Sequence, residues 1–366
     1  MNSLSDYFDA LKSNIEPKPE RVDIAKNFHI KIREFLEKHD GIATVKPQSR
    51  LVGSYARSTA IKNIKDVDFI LIIDPSYKHE DTKTVLDCLY NTLEDFPKFL
   101  EDSGSIRDDL RHQRRSVNIE FIDYDFNLDV VPVIMENEIN DVLLIPDKDW
   151  NEWVNTQPVG YNEALSELNQ KNGGKIVPLI KMLKHWRDVH MIYMRPKSYW
   201  LECMVFNFID QGIITTEGNG YAVLFRDILA TINSKYSPYL EKDDKVPEIS
   251  DPMLKHNVAF NWERSDFETF MRRIKESYKW ANNALEEHRE ESEAIELWQK
   301  VFNTDEEEWF QSYLYDKIGA SLGQAISAGT AGVDRKTGRL TPDRSNQTTR
   351  DYPTHNFYGE DHENKR

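Results

Sequence analysis

Apolar positions recur at helical spacing from Arg21 to His39, with Val22, Ile24, Ala25, Phe28, Ile32, Phe35 and Leu36 on one stripe. A shorter stripe runs from Asn2 to Lys12. Both predict amphipathic helices, divided by Pro17 and Pro19, the second stopping near Gly41. The pattern then shifts to short β-rich runs over Val67–Ile73, Val117–Ile122, Phe126–Ile134 and Val142–Ile145, with a helical insert from Glu80 to Phe96. From about Asn162 it is almost wholly helical: Lys175–Val189, Ser198–Ile209, Tyr221–Ile232, Ser265–Glu290 and Glu293–Val301. No internal repeat is visible. Beyond Leu322 periodicity fades into Gly, Thr, Ser, Asn, Pro and Arg, which predicts a mobile tail. The expected class is α+β, with a mixed sheet followed by a C-terminal helical lobe and a cleft between them. The expected divisions are 1–160, 161–320 and 321–366.

Composition narrows the classes. Of 366 residues, 39% are hydrophobic and 30% charged, which suits a globular protein and not a disordered one. The longest plain apolar run, Phe69 to Ile73, falls far short of the roughly 20 residues a bilayer span needs. The N-terminus carries acids where a secretory signal would be basic and then apolar, so a cytoplasmic location is expected. Cys88 and Cys203 suit reduced core thiols better than a disulfide or a zinc knuckle. The net charge is -16, from 47 basic and 63 acidic residues, which works against gripping long nucleic acid. A few clustered cations can still hold a small anion.

The chemistry concentrates in LVGSYARSTAIKNIKDVDFILIID, residues 51 to 74. Residues two apart on a strand point to one face, so Asp66 and Asp68 project together while Val67 and Phe69 turn inward. Two like charges held close call for a cation, and hard carboxylate oxygens suit Mg2+ or Mn2+. Asp129, flanked by apolar Leu128 and Val130 in a second β-run, is the expected third ligand; Asp123 and Asp125 compete for the place but lie in a predicted hairpin turn. Three acids on adjacent strands can hold two Mg2+ about 4 Å apart, the arrangement of nucleotidyl transfer. Gly53 removes a Cβ where backbone must approach phosphate, and Ser54 offers it a hydroxyl and an amide. Arg57 follows closely enough to reach phosphate, or to make a structural ion pair.

This pattern resembles the DNA polymerase β-like nucleotidyltransferase superfamily, in the branch with an oligoadenylate-synthase-like helical lobe. GGKIVPLIKMLKHWRD at 173 to 188 looks like the branch's lysine helix, and PKSYWLECMVFNFI at 196 to 209 like its Ser-Tyr helix start. The resemblance implies that Lys184, with Lys181 one turn earlier, contacts the triphosphate, and that Tyr199 stacks on the base beside Ser198. Otherwise the lysines are surface residues, Tyr199 is a core aromatic and Ser198 caps its helix. DPMLKHNVAFNW at 251 to 262 is also similar to a shared stretch, with no chemistry assigned to it. The tail segment THNFYGE resembles endings found among bacterial CD-NTases, the cyclic-oligonucleotide synthases of CBASS antiphage defence.

The resemblance implies a Mg2+-dependent enzyme that joins nucleoside triphosphates, ATP and GTP among them, into a cyclic di- or trinucleotide. That product would act on a separate effector, and a regulatory protein would be a further partner. Two rivals stand beside it. One is an RNA-directed nucleotidyltransferase of the CCA-adding or linear oligoadenylate type, disfavoured by the acidic charge. The other is an inactive nucleotide sensor, disfavoured by the three retained carboxylates. His185 and His190 read as ordinary helix residues, and RDDLRHQRR at 107 to 115 as a solvated hairpin or a contact for an acceptor or product nucleotide.

Overall fold

The computed structural model describes residues 3–62, 66–100, 106, 110–135, 142–191, 193, 195–242, 245–303, 321–328, 330–334, 340–341 and 349–351. The chain divides into two compact units, residues 3–305 and residues 306–366 with 1–2.

The first unit opens with helices α1 (Leu4–Ile15) and α2 (Pro19–Lys38). Ser3 and Asp6 form a reciprocal capping box on α1, and Pro19 opens α2 at the position where its missing N–H costs nothing. Strand β1 (Thr44–Val52) leads into the one-turn helix α3 (Gly53–Ala56), then β2 (Asp66–Ile73), α4 (Thr82–Leu93) and the short α5 (Phe96–Phe99). Next come β3 (Arg111–His112), β4 (Val117–Phe121), β5 (Phe126–Met135), β6 (Leu143–Asp147) and β7 (Glu152–Thr156). Six longer helices follow: α6 (Pro158–Lys171), α7 (Ile176–His190), α8 (Ser198–Asp210), α9 (Tyr221–Tyr236), α10 (Arg264–Ala284) and α11 (Glu291–Phe302).

The seven strands form one mixed sheet with main order β1-β2-β5-β4-β3, β6 joining the end of β5 and β7 pairing β6. β2 and β5 run parallel; every other pair is antiparallel. One face of β2, with Val67, Phe69, Leu71 and Ile73, joins α2 and α4 in a core that includes Phe28, Ile32, Leu89 and Leu93. The other face carries Asp66 and Asp68 and then, two residues at a time, buried Ile70 and Ile72. Along one strand face, then, polar chemistry gives way to core packing, which anchors the acids on a rigid stem.

The structure adds detail that the sequence pattern did not carry. β1 contains Pro47 and a register irregularity between Thr44 and Ser49, so its alternation is broken. The expected helix Ser265–Glu290 ends at Ala284, because Leu285 leaves helical geometry. α6 begins at Pro158, and residue 160 lies inside it. α1 packs on α7, α9 and α11 rather than on the sheet: Phe8 meets Trp298 and Phe302 edge-on, with ring centroids 4.9 and 6.1 Å apart.

In the second unit the described residues include a helix over 321–327 and a sheet of β8 (Gly332–Asp334), β9 (Leu340–Thr341) and β10 (Thr349–Asp351), in order β10-β8-β9. Strands of two or three residues are too short to leave a period in the sequence, so no strand was expected there. THNFYGE lies outside the described residues, as do residues 107–109 of the basic run.

Trp186 ties α7 to α10: it is fully buried and its Nε1–H donates to Ser277 Oγ at 2.9 Å. Trp186→Ala should cost about 3–5 kcal/mol of unfolding free energy in urea titration. A loss below about 1 kcal/mol would contradict this packing.

Candidate active site

The parallel β2–β5 register pairs Asp68 with Asp129 and Asp66 with Asn127. All three acids therefore start from neighbouring strands on one face. Asp66 Oδ1 accepts from Asn127 Nδ2 at 3.1 Å. Asp129 Oδ1 accepts from Asn118 Nδ2 at 2.7 Å and Gln113 Nε2 at 3.0 Å, which leaves Oδ2 as its open acceptor. Burial raises the pKa of Asp68; Arg57 opposes the shift, and Asp66 and Glu202 add to it. Burial pushes Asp129 up to about 6, against its hydrogen bond from Asn118 and with help from Asp68 and Asp66.

Gly53 lies behind the acids rather than in the cleft. Its φ is +74°, and a Cβ there would stand 1.8 Å from Asp68 Oδ2. Glycine is required both for the left-handed backbone and for the close approach of Asp68. α3 then turns the chain, with Thr59 N and Ala60 N donating to the Ser54 carbonyl.

Ser54, Arg57, Asp66, Asp68, Asp129, Lys184, Ser198 and Tyr199 line one cleft of about 970 Å³ between the sheet and the helices. Lys181 does not line it. It faces α1 and pairs with Glu16 at 2.6 Å, because three residues on a helix also turn a side chain about 60° from its neighbour's direction. Lys184 does line the cleft, yet all three of its donors are taken within the protein: Thr59 O at 2.9 Å, Thr59 Oγ1 at 3.1 Å and Glu202 Oε1 at 2.6 Å. Arg57 makes the ion pair that was its alternative reading, from Nε to Glu202 Oε2 at 2.8 Å. Ser198 is the first residue of α8, not its cap; its hydroxyl accepts from Arg187 Nη1 at 2.9 Å.

Tyr199 is half-buried, faces the cleft and donates to Asp251 Oδ2 at 2.8 Å. The Asp251 carboxylate is fixed from its other side by the amides of Met253 and Leu254, so the 251–262 stretch does reach the cleft. Sequence reasoning also missed Glu202, although a lone acid inside the apolar run of α8 was a visible signal. It missed Arg195 and Lys197 too, cleft-lining cations with exposed side chains. Asp125 is drawn off to Arg21 at 3.6 Å, which removes it from contention as third ligand. In the basic run, Arg114 and Arg115 are both committed to buried Asp147 at 2.7 Å.

The donors suit a hard divalent cation: they are all carboxylate oxygens, and two of them are pushed toward protonation by burial and by neighbouring acids, which a cation would relieve. Among the described residues no three acidic, His or Cys side chains already converge as a ready metal cage. No helix among the described residues is long and apolar enough to cross a membrane.

A Gly-Ser turn beside two acids on one strand and a third on its parallel neighbour, facing a helical lobe, is the arrangement expected of a polymerase β-like fold. The Second Messenger Oligonucleotide or Dinucleotide Synthetase domain family matches residues 1–169. A cyclic AMP-AMP-AMP synthase of Acinetobacter sp. (strain ATCC 27244 / 9458) is 31% identical over 311 residues, covering 82% of this chain and 84% of the relative. A cyclic AMP-AMP-GMP synthase of Enterobacter hormaechei subsp. hoffmannii (strain UCI 50) is 24% identical, covering 82% and 91%. Among solved structures, E. coli MS115-1 CdnC with ATP shares the fold at TM-score 0.63 and 17% identity, over 82% of this chain and 97% of that one. GTP-bound Vibrio cholerae DncV does so at TM-score 0.62 and 12% identity, over 82% and 95%. The chain belongs to the bacterial CD-NTases, nucleotidyltransferases of the CBASS type that build cyclic oligonucleotides.

Asp129 binds its proton more tightly folded than unfolded, so the metal-free protein loses stability as pH rises from about 4 through about 6. In chelator, Asp129→Asn should therefore be more stable than wild type at pH 7, with the advantage shrinking toward pH 4. Melting temperatures across that range check it; a constant difference would refute the shift.

Proposed function

We propose that Asp66, Asp68 and Asp129 carry the transfer of a nucleotidyl group onto a ribose hydroxyl, repeated and closed to give a cyclic di- or trinucleotide. The observation that carries this is the placement of three carboxylates on one face of β2 and β5, beside the Gly53-Ser54 turn and across the cleft from Tyr199. The carboxylates would hold two divalent cations, Mg2+ or Mn2+, which supply Lewis acidity at the α-phosphate and neutralise the leaving pyrophosphate. Asn118 and Gln113 hold Asp129 by Oδ1, leaving Oδ2 to take the proton of the attacking hydroxyl. Gly53 lets Asp68 approach the turn, and Ser54 offers its hydroxyl to phosphate. Arg195 and Lys197, exposed at the cleft, are the cations best placed to meet a triphosphate without first breaking a buried ion pair.

Tyr199 presents its ring to the base, with its hydroxyl anchored on Asp251. Stacking of this kind is worth about 1–3 kcal/mol and tolerates any base. Base choice must therefore come from elsewhere in the cleft. The 31% identical Acinetobacter synthase makes ATP the first substrate to test and a cyclic triadenylate the first product to look for. A regulatory protein partner fits the same reading.

Pure protein incubated with Mg2+ and labelled ribonucleoside triphosphates should yield a phosphatase-resistant product. Asp66→Ala and Asp68→Ala should each lower its formation more than about a hundredfold, because cation positioning supplies several kcal/mol of the rate enhancement. Near wild-type product from either variant would show that the wrong carboxylates have been chosen.

A further inference from the structure

Glu202 is a fully buried carboxylate on α8, in a run otherwise dominated by apolar side chains, and it touches two cations at once. Arg57 reaches it through Nε at 2.8 Å and Nη2 at 3.4 Å, Lys184 through Nζ at 2.6 Å, and Thr59 Oγ1 donates to it at 2.9 Å. Arg57 and Thr59 come from the segment just after the Gly-Ser turn, while Lys184 and Glu202 come from α7 and α8. Two positive charges and one negative charge thus pin the catalytic turn to the helical lobe, with a net single positive charge on the cleft floor.

We propose that Glu202 is a positioning residue for nucleotide binding, holding the Arg57 guanidinium and the Lys184 ammonium at the cleft floor and fixing the Gly-Ser turn against α7 and α8. The inference rests on the reading of this cleft as a nucleotide site. A residue that merely offset positive charge would behave oppositely, since its removal would strengthen the attraction for a triphosphate. The buried setting decides between the two. Burial already holds the Lys184 pKa below its usual value, and Glu202 is what opposes that fall. Without Glu202, Lys184 sheds its proton sooner than remain charged beside Arg57 in a desolvated site. Arg57 cannot shed one, so it leaves its seat toward the Asp68 carboxylate. The cleft then loses one cation and misplaces the other.

The experiment is equilibrium binding of a non-hydrolysable ATP analogue, with Mg2+, to the full chain. It needs no turnover, so a wild type that binds the analogue but makes no cyclic product would overturn the functional reading and leave this inference to be judged on its own. Glu202→Gln, which keeps the shape and removes the charge, should weaken binding about tenfold or more in the folded protein. The double variant Arg57→Gln/Glu202→Gln should bind no worse than the weaker of the two single variants, because the residues act through one contact. Unchanged or tightened binding in Glu202→Gln, or losses that multiply in the double variant, would overturn the proposal. Should Glu202→Gln fail to fold, Glu202→Asp keeps the charge but draws the carboxylate back by one methylene, so it cannot reach both cations. Its binding should also be weakened, and wild-type affinity in that variant would overturn the proposal equally.

Discussion

Asp68 and Asp129 stand side by side on parallel strands, and the burial of two acids at one place is the constraint on which the cleft depends. Nothing in a hydrophobic core favours such a pair. It persists because each strand is locked downstream by apolar residues on the same face, Ile70 and Ile72 after Asp68 and Val133 after Asp129. The stability of those stems offsets the cost of holding the acids together. Burial above all, with neighbouring acids adding to it, raises the pKa of both carboxylates.

Around the acids, several described charges of the cleft and its surroundings are paired. Glu202 occupies Arg57 and Lys184, Asp188 holds Arg187 and Arg195, and Glu16 holds Lys181. The cleft therefore has two electrical regions: an acid cluster on the sheet, and a hydrogen-bonded floor where sheet and helices meet, with Arg57 and Lys184 sharing Glu202. Burial holds the floor rigid, since breaking one member leaves an uncompensated charge in a desolvated place. That rigidity fixes how far the cleft-lining residues of α8 stand from the strands.

Much of this was legible in the sequence, for physical reasons that differ by residue. Asp66 and Asp68 could be placed because strand alternation has a strict period of two, whereas Gly53, read as a close approach of backbone to phosphate, instead makes room for Asp68 Oδ2. Lys181 could not be placed, because a helical period locates a face but not the partner packed against it, here α1 from far away in the chain. Ser198 was visible as a helix start; its actual role, accepting from Arg187, depends on the crossing of α7 and α8. The Tyr199–Asp251 contact joins residues fifty-two positions apart, and no local pattern encodes it. The small strands of the second unit were illegible because they are shorter than one period of any useful signal.

The central claim is that the acids of β2 and β5 form a cation site used for nucleotidyl transfer. A crystal grown with Mn2+ and a non-hydrolysable nucleoside triphosphate, measured for anomalous scattering, tests it most directly. The account predicts an anomalous peak bridging Asp66, Asp68 and Asp129 and touching the triphosphate. A triphosphate bound in the cleft with no peak at those carboxylates, or with the peak elsewhere, would contradict it.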